Sequence, residues 1–114
     1  MDITFATNKL KKQLNEGKVM IKVHGPLRAK KLMIVLASLR AAENLGVFAP
    51  PYSPPNRCHE LTGNLKGQLS VDLDHPYRLL FKPKNTPVPM KAAGGLDWGN
   101  VTIIEIQSVE NTHG

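Results

Sequence analysis

Apolar positions recur with a helical period in the first part of the chain and with a period of two in the second part. Residues 3–5 alternate briefly and predict an opening strand. Thr7 or Asn8 can cap the helix that follows, and Gly17 weakens this helix before Gly25 ends it in the left-handed conformation. Its apolar stripe comprises Leu10, Leu14 and Ile21.

A second helix is predicted over residues 26–43, because Pro26 suits the first helical position, which needs no N–H group. Lys30, Lys31 and Arg40 lie off its apolar face. That face comprises Ala29, Leu32, Met33, Val35, Leu36 and Leu39. The two helices therefore predict a helical hairpin packed on a sheet.

Residues 68–73 and 77–82 alternate as two strands joined by the turn 74–76. A three-residue loop places Asp72 opposite Arg78, with Lys82 on the same solvent-exposed face as Gln68 and Ser70. The apolar pairs on the other face are Leu69 with Phe81, Val71 with Leu79 and Leu73 with Tyr77.

Two proline-containing loops, 47–56 and 83–100, interrupt the second part of the chain. Residues 101–109 are almost continuously apolar and β-branched, which predicts a central strand that is buried on both sides. The order of elements predicts a single α+β domain over residues 1–114, with an antiparallel sheet and the helices on one side.

Composition narrows the environment and the partners. The chain of 114 residues has a net charge of +6, which favours a polyanionic partner. Residues 1–57 carry ten Lys/Arg and three Asp/Glu, whereas residues 58–114 carry five and six. One cysteine, Cys58, allows no internal disulfide. Because neither a signal peptide nor a membrane-spanning run is present, we expect a cytoplasmic protein with no membrane partner.

The candidate chemistry needs no metal. The four histidines and Cys58 lack a metal-ligand spacing, and no phosphate loop or nucleotide fingerprint occurs, so we expect no metal and no cofactor. Metal-free RNA cleavage requires a proton acceptor, a proton donor and cations around the phosphate. The residues that can supply these groups are His59, Lys66, Arg78, Lys82 and His113. Taken singly, each of them is better explained as an ordinary surface residue, and Arg78 is compatible with a salt bridge to Asp72.

The stretch HELTGNLKGQLSVDLDHPYRLLF, residues 59–81, resembles the motif of the RelE/ParE superfamily of toxins, and most closely its HigB-type, or plasmid-maintenance killer protein, branch. The chain ends in ENTHG, where this family usually has an acidic residue, a tyrosine and a histidine. The residues that match the motif in register are His59, Leu61, Gly63, Gly67, Ser70, Tyr77, Arg78, Leu79, Phe81 and, at the end, His113.

The resemblance implies a RelE-like fold and the toxin of a type II toxin–antitoxin system, acting as a metal-independent endonuclease on messenger RNA at the ribosome. The implied partners are a helix-turn-helix antitoxin, the ribosome and messenger RNA. His59 and His113 correspond to the acid/base groups, and Arg78 to the group that stabilises the transition state. Lys66, Lys82 and Arg57 are expected to bind RNA.

Two alternatives stay open. A ParE-like poison of DNA gyrase shares the fold, although such proteins generally lack the catalytic histidines. A non-catalytic relative that binds RNA or antitoxin is favoured by Asn111 and Thr112, which replace the acidic and tyrosyl residues, and by Asp72, which can neutralise Arg78.

Overall fold

The computed structural model describes residues 1–49 and 57–111. Its described part contains three helices, which come early in the chain, and a five-stranded sheet. In chain order the elements are β1 (Asp2–Phe5), α1 (Asn8–Asn15), α2 (Gly17–His24), α3 (Pro26–Ala41), β2 (His59–Glu60), β3 (Leu69–Asp72), β4 (Tyr77–Pro83) and β5 (Ile103–Asn111). The predicted α+β class, with a helical hairpin packed on a sheet, is confirmed.

The first arm of the helical hairpin is broken, contrary to the prediction of one continuous helix. Thr7 caps α1 by accepting a hydrogen bond from the Leu10 amide at 3.1 Å. Glu16 then adopts an extended conformation, and Gly17 begins α2. Ile21 is consequently 46% exposed and not part of the core stripe. Gly25, with φ of +80°, separates α2 from α3 as predicted.

Helix α3 supplies most of the helical contribution to the core. It begins at Pro26, as predicted, but it ends at Ala41 and not at residue 43. Met33, which was predicted to be buried, is 44% exposed. The buried residues of α3 are Ala29, Leu32, Val35, Leu36 and Leu39. Each leucine removed from water in this way contributes about 1.5–3 kcal/mol to folding.

The sheet has the order β1-β5-β4-β3-β2, so β5 is internal, as predicted. Three of the four strand pairs are antiparallel, but β1 runs parallel to β5, which makes the sheet mixed. No hairpin joins β1 to β5, so no turn dictates their relative direction. Strand β5 buries one face through Ile104 and Ile106, whereas its other face is only partly covered, contrary to the predicted burial on both sides.

The predicted register of the β3–β4 hairpin is confirmed, including Asp72 opposite Arg78. One face of this hairpin packs against the helices through Val71, Leu79 and Phe81. We call the opposite, helix-free face the open face. It is not uniformly exposed as predicted, because Ser70 and Leu80 on it are 0% and 2% exposed.

The two predicted loops fare differently. A 3-10 helix at residues 45–48 reaches into the first loop, contrary to the prediction of no regular element there, and residues 50–56 lie outside the described part. The second loop, between β4 and β5, contains a 3-10 helix at Trp98–Asn100. It packs on the domain through buried Leu96 and Trp98.

Candidate active site

Strand β2 is only two residues long, and contacts on either side of His59 hold it in place. Cys58 is buried in the core, and burial together with the nearby Glu60 carboxylate raises the pKa of its thiol to about 12. Glu60 accepts a hydrogen bond from the Trp98 indole N–H at 3.2 Å. His59 lies between these two anchors and pairs with Ser70 of β3. The alternation of a strand therefore places the His59 ring on the open face.

The hydrogen bonds of His59 define its tautomer. Its Nδ1 lies 3.0 Å from the Arg57 carbonyl oxygen, and its Nε2 lies 3.2 Å from Nη1 of Arg78. A carbonyl only accepts and a guanidinium only donates, so in neutral His59 the proton is on Nδ1 and the lone pair on Nε2. The ring nitrogen that faces the open face, Nε2, is thus the basic one. Arg57, whose carbonyl holds the other nitrogen, has a φ of +48°, an uncommon conformation for a residue with a side chain.

Arg78 lies at the centre of this group. Besides His59, its guanidinium meets Asp72, with 3.3 Å between Nε and Oδ1. That oxygen is buried and accepts no hydrogen bond from any residue in the described part, so the contact is ionic and loosely oriented. Arg57 approaches the other Asp72 oxygen at 3.5 Å, although its own side chain is 64% exposed. Two arginines thus meet a single carboxylate, and one of them, Arg78, also contacts His59.

The predicted cations Lys66 and Lys82 lie apart from this cluster but near each other. Both line an open cleft of about 1030 Å³ between the β2–β3 connection and the loop after β4. Lys82 lies four residues from Arg78 on the same face of β4, about 13 Å along the strand. Phosphate groups of one strand of RNA can therefore reach the cluster and the cleft together.

Lys84 also lines this cleft, and the sequence reasoning missed it. The alternation of β4 was the available signal, because Lys84 follows Lys82 by two residues. Both ammonium groups contact Glu105, at 3.2 Å for Lys84 and 3.9 Å for Lys82. The Gln107 amide, which donates to this carboxylate, and then the two lysines lower the pKa of Glu105. Part of the positive charge of the cleft is accordingly compensated.

The structure brings together three of the predicted site residues: His59, Arg78 and Arg57. Lys66 and Lys82 form a second group, and His113 lies outside the described residues, as does Thr112. Asn111, the last described residue, pairs with Tyr77 at the end of β4. The end of β5 thus reaches the Arg78 end of the open face.

Within residues 1–49 and 57–111, no three side chains of His, Cys, Asp or Glu come close enough to form a metal site. No helix there is both long and apolar enough to span a membrane. The chain matches no protein-family model. It likewise matches none of the curated proteins with which it was compared.

Proposed function

We propose that this protein is the toxin of a type II toxin–antitoxin system and cleaves messenger RNA at the ribosome without a metal. The observation that carries the proposal is the 3.2 Å approach of the Arg78 guanidinium to Nε2 of His59 on the helix-free face of the sheet. A proton acceptor and a phosphate-binding cation are the two groups that must act on the same phosphodiester.

In this mechanism His59 Nε2 accepts the proton of the ribose 2′-OH while the 2′-oxygen attacks the adjacent phosphorus. The Arg57 carbonyl holds the ring by accepting from Nδ1–H, so the basic nitrogen stays directed at the open face. Arg78 turns from His59 and Asp72 to the phosphate oxygens, where a guanidinium can donate two parallel hydrogen bonds. The bond to the 5′-oxygen breaks, and His113 supplies the proton for this leaving group.

The lysines of the cleft support RNA as the proposed partner. Lys66, Lys82 and Lys84 in the cleft extend the positive field away from Arg78 and would contact phosphates of the messenger or of ribosomal RNA. An antitoxin with a helix-turn-helix domain is the proposed neutralising partner. The cytoplasm, where ribosomes and messenger RNA meet, is the proposed location.

A second candidate function rests on the ion pair between Arg78 and Asp72. If the carboxylate holds the guanidinium permanently, the open face binds RNA or antitoxin without cutting. The gyrase-poison alternative has no comparable observation in its favour, and it is kept only as an outcome of the experiment.

The test is a map of RNA 5′ ends after brief induction, comparing wild type with the His59→Ala/His113→Ala double variant. New ends within translated frames that disappear in the variant are expected. A variant with His75→Ala, in the β3–β4 turn, is the matched control and should cleave like wild type. Growth arrest without new ends would refute the nuclease, and gyrase inhibition by the purified protein would then support the poison.

A further inference from the structure

A second, smaller pocket of about 460 Å³ lies on the open face beside the Arg78 cluster. Its apolar part consists of Leu80 on β4 and Leu65 from the turn between β2 and β3. Its other lining residues carry polar side chains: Gln68, Gln107, Ser108, Glu110 and Asn111. The pocket is large enough for one nucleobase and its ribose, and among the described residues neither His59 nor Arg78 lines it.

The polar part of this pocket is rich in hydrogen-bond acceptors. Oε1 of Gln68 is buried and has no partner among the described residues. Gln107 uses its Nε2 to donate to the backbone and side-chain oxygens of Glu105, at 3.1 and 2.9 Å. Glu110 adds a carboxylate, which only accepts when it is ionised. Gln68, Ser108 and Asn111 also carry donor groups, but a ligand group that faces Glu110 must bring N–H donors.

The shape and chemistry of the lining select among planar ligands. Leu65, which is 38% exposed, offers apolar surface to a flat ring, while Glu110 offers two acceptor oxygens side by side. Guanine is the RNA base with two adjacent donors, N1–H and N2–H, on one edge, and these match one carboxylate as a guanidinium does. Adenine, cytosine and uracil each interrupt that edge with an acceptor.

The position of the pocket relates it to the proposed cleavage site. Leu80 follows Arg78 by two residues on the same face, about 7 Å along the strand. Glu110 is the residue directly opposite Arg78 in the β4–β5 register. A nucleotide with its phosphate at Arg78 thus reaches the pocket with its own base.

We propose that this pocket binds a guanine base and gives the open face a preference for guanine next to the bound phosphate. The assignment rests on the proposed function, because the phosphate at Arg78 is part of it. Glu110 is the residue that recognises the base, and Leu65 packs on the ring.

The direct test is an NMR titration of the full chain with the 3′-monophosphates of guanosine, adenosine, cytidine and uridine. Guanosine monophosphate should bind at least tenfold more tightly than the others and shift the amide signals of Leu80 and Ser108. Glu110→Gln should abolish this preference, since an amide replaces one acceptor by a donor. Equal affinity for the four nucleotides, or an unchanged preference in Glu110→Gln, would overturn the proposal.

Glu43→Gln is the matched control, because Glu43 is an exposed carboxylate in the segment after α3. It removes the same charge and should keep the guanine preference. The two proposals fail separately. Guanine-selective binding without transcript cleavage would refute the proposed nuclease function and leave the proposed guanine pocket intact. Cleavage whose positions show no guanine preference and do not change in Glu110→Gln would sink the pocket and leave the nuclease.

Discussion

Two aspartates of one hairpin each meet an arginine, and the two pairs differ in how fully their polar atoms are satisfied. On the helix-covered side, Arg28 of α3 donates to both oxygens of Asp74, at 3.0 and 3.1 Å. Its guanidinium also stacks on the Tyr77 ring, 3.4 Å from the centroid. On the open face, Arg78 touches Asp72 by one ionic contact, and the nearer oxygen has no hydrogen bond in the described part.

This difference distinguishes a structural arginine from one that can exchange partners. The Arg28 pair has the bidentate geometry that makes ion pairs strong, and moving it would cost both hydrogen bonds and the stack. Arg78 loses little by turning to another anion, because none of its contacts with the described residues is bidentate. The same hairpin therefore fastens the sheet to the helices at its turn and keeps a cation available on its other face.

The largest expected effect separates the two arginines by activity. Arg78→Ala should lower transcript cleavage by roughly 10²–10³-fold, the usual loss when one donor to the transition state is removed. Its free energy of unfolding should change by about 1 kcal/mol or less, since partly exposed ion pairs contribute little. Quantified 5′ ends and urea unfolding of the purified variant measure the two quantities.

Arg40→Ala is the control for the lost charge, because Arg40 lies on α3 and its side chain bonds only to exposed Asn15 among the contacts described. It should retain cleavage. If Arg78→Ala cut as well as Arg40→Ala, Arg78 would be a structural residue like Arg28, and the contrast between the two faces would carry no functional meaning.

The next effect concerns stability. Arg28→Ala should destabilise the fold by about 2 kcal/mol, because it leaves the Asp74 carboxylate without its charged donors. Cleavage per folded molecule should stay at the wild-type level, since Arg28 lies on the other side of the sheet. Urea unfolding with a matched Arg40→Ala variant checks this. A loss of cleavage with unchanged stability would reverse the roles assigned to the two arginines.

The pairing of Asp72 with Arg78 on the open face could be predicted from the sequence, because strand alternation and turn length determine it. The period of two and the three-residue turn fix the hairpin register, and this register sets Asp72 opposite Arg78. The approach of His59 to Arg78 is different, since β2 has only two residues and no periodicity of its own. The position of His59 depends on Cys58 in the core and on Glu60, which is hydrogen-bonded to Trp98, 38 residues away.

The helical part shows the complementary limit. An apolar stripe running through Leu14 and Ile21 is compatible with one helix, and only tertiary packing reveals that the chain breaks at Glu16. The same holds for Met33, whose place on the stripe of α3 predicts burial that the sheet does not provide. The parallel pairing of β1 with β5 also escaped prediction, because no connection between them restricts it.

The smallest expected effect tests whether the polar atoms on the helix-covered side are all hydrogen-bonded, as those of the Arg28–Asp74 pair are. Nε2 of His24 is buried there with no hydrogen-bond partner in the described part. Burial and the nearby Arg28 charge lower the pKa of His24 in the fold, and Asp74 opposes this shift only in part. The folded state therefore prefers neutral His24, whereas the unfolded chain takes up a proton near pH 6.5.

Stability should consequently be complete above about pH 6.5 and decline as the pH falls below that value, because protons then favour the unfolded chain. His24→Gln should flatten this decline between pH 7.5 and 5.5, by less than the Arg28→Ala effect, in urea unfolding at each pH. Glu105, whose pKa is lowered, titrates below this range. His75→Gln, in the turn, serves as the control and should leave the slope unchanged. If His24→Gln kept the wild-type slope, Nε2 of His24 would bind a proton as readily in the folded protein as in the unfolded chain. Burial of this nitrogen on the helix-covered side would then have no cost to stability.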